Sequence, residues 1–280
     1  MTIKEFCKEV YANTFTTVLR SYLVENPKAK HDEIERAAQL EAIKECALSG
    51  MRIYPNVEPA DIWKTIYEIH VHHKSGIGDT RTINSVISAN QSWIKSSGHA
   101  FEAMIKVLGN LCLNSDGIEI VLQRDLSTLV KAKEIANEPR DISWLKEQID
   151  GNIFDLYALV DTPRGKCCFG CIQSKTSIRD RVTRDREPSI HAMQSYFWSV
   201  ALVLDGEFLK NGKFQTMVNG GTHEHPTNGW HGMYVFSDKY SVDRIYATDF
   251  YLKNFVDHAK KAAEMWLKQR QWLNIVWKAC

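Results

Sequence analysis

The fold is decided by the stretch from Asp155 to Glu187. It reads Asp155-Leu-Tyr-Ala-Leu-Val-Asp161-Thr-Pro-Arg-Gly165-Lys-Cys-Cys-Phe-Gly-Cys-Ile-Gln-Ser-Lys175, followed by Thr-Ser-Ile-Arg-Asp-Arg-Val-Thr-Arg-Asp-Arg-Glu187. Two apolar runs bracket a turn that contains Pro and Gly, a pattern that predicts a β-hairpin. An acid stands early in the first strand, a lysine ends the second strand, and alternating Arg and Asp residues then open a helix.

The flanks of this hairpin predict more helices than strands. Apolar residues recur at helical spacing in residues 2–24, 31–49, 61–73, 91–114 and 125–150, with a break at Pro139 in the last range. Short apolar runs predict strands at 118–122 and 233–236, and a Gly-, Asn- and His-rich stretch predicts a loop at 205–232. Residues 243–278 predict a long C-terminal helix.

These elements predict an α/β fold, in which a mixed sheet is flanked by helices and preceded by an N-terminal helical domain. Gly76 and Gly78 suggest the boundary, with a helical domain at 1–80 and a catalytic domain at 81–280. The first domain is interpreted as an arm that contacts DNA or a partner subunit. The aromatic C-terminal helix is interpreted as a subunit contact.

Composition narrows the class of protein. The chain has 280 residues, of which 44% are hydrophobic and 25% charged, as is typical of a soluble globular protein. The net charge of +1 indicates that any nucleic-acid site is a local patch. The charged N-terminus and the lack of a long apolar run predict neither a signal peptide nor a membrane span. Seven cysteines without a secretion signal then indicate reduced thiols in a cytoplasm.

The hairpin carries residues suited to phosphodiester hydrolysis, which needs a divalent cation and an activated water. Asp155 would supply a carboxylate to a hard cation such as Mg²⁺. Lys175 would orient the attacking water and offset charge on the transition state. Glu102, on the preceding helix, and Glu187, on the following one, are candidates for further metal-binding carboxylates.

The charge pattern after Lys175 fits base recognition. An arginine binds guanine in a bidentate manner, and an aspartate accepts a hydrogen bond from cytosine in the major groove. An acid between two arginines would repel a phosphate backbone, so the pattern favours reading C beside G. The candidate readers are Arg179, Asp180, Arg181, Arg184, Asp185 and Arg186.

Together these residues resemble the type II restriction endonucleases with the PD-(D/E)xK core, in the branch that reads CCGG, and in particular the BsaWI group. That branch has an Asp on one strand, Ser-x-Lys on the next, and an Arg-acid-Arg triplet soon after. Asp155, Ser174-Lys175 and Arg179-Asp180-Arg181 occupy these positions. The branch lacks the acid that usually precedes the lysine on the strand, and here Gln173 stands at that position. A Glu on the following helix replaces the missing acid in the branch, and Glu187 is the candidate for it.

The resemblance implies a Mg²⁺-dependent enzyme of the prokaryotic cytoplasm. It would act as a homodimer or homotetramer on double-stranded DNA and cut a palindrome with a CCGG core, such as W/CCGGW, to leave 5′ overhangs. The contiguous Arg-Asp-Arg triplet also occurs in enzymes that read CCNGG or CCWGG, so that site stays open. Catalytic roles would fall to Asp155, Lys175, Glu187, Glu102 and Ser174, and metal binding to Asp155, Glu187 and Glu102.

The same residues also allow simpler structural interpretations. Asp155 alone would most simply cap a turn, and the Arg/Asp run would be a solvated helix with internal ion pairs. A structure-specific repair nuclease with the same core, or a DNA-binding module without catalysis, are the alternative functions. Zinc binding by Cys167, Cys168 and Cys171 is disfavoured because adjacent cysteines on a strand face opposite sides of the sheet, so they are interpreted as buried small hydrophobes.

Overall fold

The computed structural model describes residues 1–27, 29–75, 80–177, 182–206, 212–236 and 241–279. The chain divides into two compact units, Met1–Met104 and Ile105–Cys280. The functional boundary predicted after residue 80, and the role of the N-terminal helices as an arm, stay predictions.

The first unit is helical, as predicted. Its helices are α1 (Ile3–Glu25), α2 (His31–Ile53), α3 (Pro59–Ser75) and the first part of α4 (Thr80–Leu113). A capping box starts α1: the Thr2 hydroxyl accepts a hydrogen bond from the Glu5 N–H, and the Glu5 carboxylate accepts one from the Thr2 N–H. Such reciprocal bonds satisfy donors that a helix start otherwise leaves unpaired.

Aromatic contacts hold these helices together. The buried Tyr11 of α1 is hydrogen-bonded to Nδ1 of the buried His70 of α3, with 2.8 Å between the heavy atoms. Burial lowers the pKa of His70 to about 4, so the ring is neutral at pH 7. Trp63 of α3 packs against Trp93 and Phe101 of α4, with ring centroids 5.9 and 6.0 Å apart respectively.

The second unit contains a six-stranded mixed sheet in the order β1-β2-β3-β4-β5-β6. The strands are β1 (Ile118–Leu122), β2 (Leu156–Thr162), β3 (Gly165–Ser177), β4 (Trp198–Asp205), β5 (Gly232–Phe236) and β6 (Ile245–Thr248). The pairs β1–β2 and β2–β3 are antiparallel, whereas β3–β4, β4–β5 and β5–β6 are parallel. The predicted hairpin is confirmed, because Thr162 of β2 pairs with Gly165 of β3 across the turn.

Helices cover this sheet and confirm the α/β fold class. They are α5 (Gln123–Ala132), α6 (Pro139–Asp150), α7 (Val182–Gln194), α8 (Gly212–Asn219) and α9 (Lys253–Gln269). One cluster of buried side chains packs α5 and α6 against the antiparallel strands, and it includes Leu126, Leu145, Tyr157, Leu159 and Cys171. A second cluster packs α8 against β4 and β5. The central parallel strands β4 and β5 are almost wholly buried and mostly apolar, as expected of strands covered on both faces.

Two predictions about secondary structure are wrong. The stretch 205–232, predicted as a loop, contains α8, because Met217 and Val218 bury an apolar face against the parallel strands. The stretch 243–278, predicted as one helix, contains β6 before α9 begins at Lys253. Ile245 is fully buried in pairing with β5, and tertiary burial of this kind overrides helical spacing.

The segment after α9 is fastened to the sheet by two buried side chains. The Arg244 guanidinium donates to the carbonyls of Val276 and Trp277 at 2.8 and 2.6 Å. His231 accepts a hydrogen bond from the Ser199 N–H on Nδ1 and is bonded to the Asn274 carbonyl through Nε2. Burial lowers the pKa of His231 to about 3, so the neutral ring has one acceptor and one donor to match these partners.

Among the described residues, no helix has the length and hydropathy that crossing a membrane requires.

Candidate active site

Strand pairing brings Asp155 to the end of β3. Asp155 directly precedes β2, and its backbone N–H donates to the Ile172 carbonyl at 3.1 Å. In the antiparallel register Leu156 lies opposite Ile172. The residue before β2 therefore lies beside Ser174 and Lys175, although the whole hairpin separates them along the chain.

The Asp155 carboxylate is held by two donors from β3. Its Oδ2 accepts the backbone N–H of Ser174 at 2.6 Å and the Lys175 ammonium at 3.3 Å. The side chains of Asp155 and Lys175 are 26% and 15% exposed, so both are mostly buried but still reach solvent. The bonds fix the carboxylate, while its exposed part stays accessible.

A second carboxylate reaches the same lysine from α7. Asp185 lies in the first turn of this helix, and its Oδ2 is 3.5 Å from the Lys175 ammonium. Its side chain is 19% exposed. The ammonium is thus held between two acids, one from the start of β2 and one from α7.

The donor set fits a hard divalent cation. Both hydrogen bonds to the Asp155 carboxylate fall on Oδ2, and in the described part of the chain no hydrogen bond is made to Oδ1. Asp185 adds a second carboxylate within reach of the same ammonium. Carboxylate oxygens are the protein ligands of Mg²⁺, which keeps several waters of its own. Asp155 and Asp185 would hold such an ion.

Gln173 links β3 to α7 beneath this pair of acids. Its Nε2 donates to the backbone carbonyl of Asp185 at 3.0 Å, and its Oε1 accepts the indole N–H of Trp230 at 2.8 Å. Gln173 and Trp230 are both about 1% exposed. The position before Ser-Lys is therefore a structural link, in keeping with the absence of a strand acid there.

Arg186 fastens α7 to the loop that follows α8. Its Nε donates to the Met217 carbonyl at 3.0 Å and its Nη2 to the Thr227 carbonyl at 2.5 Å. Burial lowers the pKa of the guanidinium. A Cβ at Gly229 would lie 2.5 Å from the Met217 carbonyl oxygen and 3.0 Å from Arg186 Cγ, so only glycine fits this contact. Arg186 was predicted to read bases, but its fork is bonded to backbone carbonyls of its own unit.

The remaining predicted residues lie elsewhere. Glu187 is exposed on α7, and two residues of helix turn a side chain by roughly 200°, so it points away from the side of Asp185. Glu102 belongs to the first unit and is hydrogen-bonded to His99 at 3.2 Å. Arg184 is exposed in the first turn of α7. The predicted readers Arg179, Asp180 and Arg181 lie outside the described residues, in the connection from β3 to α7.

Ser174 contributes through its backbone in this structure. Its N–H binds Asp155, whereas its hydroxyl, which strand alternation places on the other face from Lys175, is buried and makes no hydrogen bond within the described ranges. Sequence reasoning grouped Asp185 with the base readers and did not place it beside Lys175, where the structure has it; its base-reading role stays a prediction. The helix start at Val182 was the signal, because it puts Asp185 in the first turn, beside the end of β3.

The chain is similar in sequence and in fold to restriction endonucleases of known structure. A family model described as BsaWI restriction endonuclease type 2 matches residues 134–272. The crystal structure of a pre-specific complex of the restriction endonuclease BsaWI with DNA has 54% sequence identity and a TM-score of 0.71, and the match covers 100% of this chain and 99% of that chain. A specific complex of the restriction endonuclease AgeI with DNA has a similar fold, with 19% identity, a TM-score of 0.60 and 91% of both chains covered. No curated protein sequence matches this chain.

The role of Arg186 predicts a stability difference between two arginines of α7. Arg186→Lys removes the pair of hydrogen bonds to two carbonyls and leaves the part-buried Met217 carbonyl without this donor, which should lower the free energy of unfolding by about 1–3 kcal/mol. Arg184→Lys, on the exposed side of the same helix, is the matched control and should change it little. Urea denaturation followed by tryptophan fluorescence measures both. Equal midpoints for the two variants would contradict this role.

Proposed function

Since the chain belongs to the BsaWI family of type II restriction endonucleases and is therefore a site-specific deoxyribonuclease, we propose that it cuts a palindrome with a CCGG core, W/CCGGW, in a Mg²⁺-dependent reaction that leaves 5′ overhangs. The observation that carries the proposal is the Lys175 ammonium, 3.3 Å from Asp155 and 3.5 Å from Asp185. The reaction is hydrolysis of one phosphodiester bond in each strand. The enzyme would work in the cytoplasm of a prokaryote.

Each site residue has a distinct task in this mechanism. Asp155 and Asp185 would hold a divalent cation, which would supply positive charge at the phosphate and help to activate the attacking water. Lys175 donates hydrogen bonds to the attacking water and to the phosphate oxygens, where negative charge increases in the transition state. The Ser174 N–H fixes the Asp155 carboxylate through Oδ2, which leaves Oδ1 as the oxygen that would bind the cation.

Asp185 takes the place that the sequence suggested for Glu187. Its carboxylate lies at the Lys175 ammonium, whereas the side chain of Glu187 is exposed on the same helix. The metal role suggested for Glu102 stays a prediction, and so does a catalytic role for the Ser174 hydroxyl.

Base recognition is assigned to Arg179, Asp180 and Arg181. They follow Lys175 by four to six residues in the sequence and precede Asp185 by a similar number, and this spacing, with the resemblance to the CCGG-reading enzymes, supports the assignment. Arg184 is available to add a contact, since it is exposed at the start of α7. Arg186 and Asp185, which the sequence grouped with these readers, are engaged in the contacts described above.

A palindromic site requires a second copy of this site. The two strands are cut at positions related by a two-fold axis, and one subunit holds one set of Asp155, Asp185 and Lys175. The working unit is therefore a C₂ dimer or a tetramer built from such dimers.

Substitution of Asp155 or Lys175 tests the catalytic assignment. Asp155→Ala and Lys175→Ala should each lower the cleavage rate at least about 100-fold, because each removes a group that acts on the transition state. The preference for a CCGG duplex over duplexes with one changed base pair, measured in Ca²⁺, should stay within about threefold of wild type, since neither residue reads a base. Rates are measured in single turnover on a plasmid with one site, and the fragment ends are sequenced.

Two substitutions on the same strands serve as controls. Asp161→Ala changes the other end of β2, and Lys166→Ala changes the first part of β3. Both should cut at near wild-type rate. Near wild-type cleavage by Asp155→Ala or Lys175→Ala would refute the assignment, and a smear instead of discrete fragments would favour a nuclease without sequence preference.

Substitution of Asp180 tests base recognition. Asp180→Asn replaces an acceptor with a group that also donates, so it should relax or destroy selection of cytosine at one position of each half-site, at a cost of about 1–3 kcal/mol for the cognate base pair. Binding is measured on a panel of duplexes with single base-pair changes. A uniform loss across the panel would mean that Asp180 does not read bases.

A further inference from the structure

Gln173 is a buried polar residue that the catalytic mechanism does not use. It lies on β3 two residues before Lys175, so strand alternation puts both side chains on one face of the sheet. Only 1% of Gln173 is exposed. A buried amide costs stability unless its donor and acceptor are both satisfied, so the partners of this side chain indicate what it does.

The two ends of the Gln173 amide have different requirements. The backbone carbonyl of Asp185 can only accept a hydrogen bond, and the Trp230 indole N–H can only donate one. They lie 3.0 Å from Nε2 and 2.8 Å from Oε1. The orientation of the amide is therefore fixed by its partners. Any side chain that replaces it must donate at one end and accept at the other.

We propose that Gln173 is a positioning residue for the nuclease reaction, an inference that rests on the function proposed above. Its amide holds the main chain of Asp185 against β3, and this keeps the Asp185 carboxylate 3.5 Å from the Lys175 ammonium. It acts through Asp185 and does not touch the cation or the DNA. The Trp230 indole N–H binds the other end of the amide. Through Gln173, the position of α7 therefore also depends on the loop before β5.

The variant Gln173→Glu separates positioning from metal binding. When the new carboxyl is ionised, it keeps an acceptor for Trp230 but presents a second acceptor to the Asp185 carbonyl, so the two oxygens would repel each other. When the new carboxyl is protonated, it regains a donor. The charged groups around the position are Lys175 on β3, Asp155 before β2, and Asp185 and Arg186 on α7.

The test is the pH dependence of single-turnover cleavage by Gln173→Glu, expressed as a ratio to wild type between pH 8.5 and pH 6. The ratio should be ~10- to 100-fold below one at pH 8.5, because a small displacement of a catalytic group has an effect of this size. It should rise as the pH falls and the carboxyl takes up a proton. Gln173→Met can neither donate nor accept in this way. Its cleavage rate should be well below that of wild type, and the ratio of the two rates should not change with pH.

Controls distinguish this role from loss of folding. Asn137→Asp makes the same amide-to-acid change against the carbonyl of Cys168, which precedes Gln173 on β3. It should cost stability without a pH-dependent ratio, once rates are expressed per folded molecule by urea denaturation.

Two other outcomes overturn the inference. A Gln173→Glu ratio that is near or above one at pH 8.5, or that is flat with pH, would exclude positioning by a donated hydrogen bond. A ratio that falls as the pH is lowered would exclude it too and would indicate that residue 173 can bind the cation. Failure of the proposed function itself would look different: the wild-type protein would not cleave DNA, or Asp155→Ala would still cleave it. Failure of the inference alone would change only the results for the Gln173 variants.

Discussion

One ammonium between two carboxylates is the interaction on which this site depends. Asp155 and Asp185 come from different elements, and their charges would repel each other if nothing stood between them. Lys175 is only 15% exposed and would be costly to bury without an acid beside it. Each group therefore requires the others, and a cation that joins them adds positive charge where two negative groups converge.

The sheet supplies the geometry that this arrangement needs. Antiparallel pairing of β2 with β3 puts the start of one strand beside the end of the other, so Asp155 meets Lys175. The parallel pairing of β3 with β4 requires a crossover, and α7 is that crossover. The helix consequently begins next to the end of β3, and its first turn carries Asp185 back to the lysine. Gln173 and Arg186 then fix this turn from two sides.

The sequence was sufficient for the hairpin and for the pairing of Asp155 with Lys175, because the apolar runs and the Pro-Gly turn specify a local structure. It was insufficient for Asp185. The alternation of Arg and Asp looks uniform in the sequence, yet a helix turns each residue to a different side, so Asp185 faces Lys175 while Glu187 is exposed. Arg186 resembles its neighbours in sequence but finds two backbone carbonyls far along the chain, at Met217 and Thr227. Contacts of this range, like those that make β6 a strand, depend on the tertiary structure and leave no local pattern.

Anomalous diffraction from Mn²⁺ in a crystal of the chain with a CCGG duplex tests the central claim most directly. The account predicts an anomalous peak at the Asp155 carboxylate and the scissile phosphate, with the Lys175 side chain turned toward that phosphate. A peak bound to other residues of the chain, with Asp155 and Lys175 away from the DNA backbone, would contradict it.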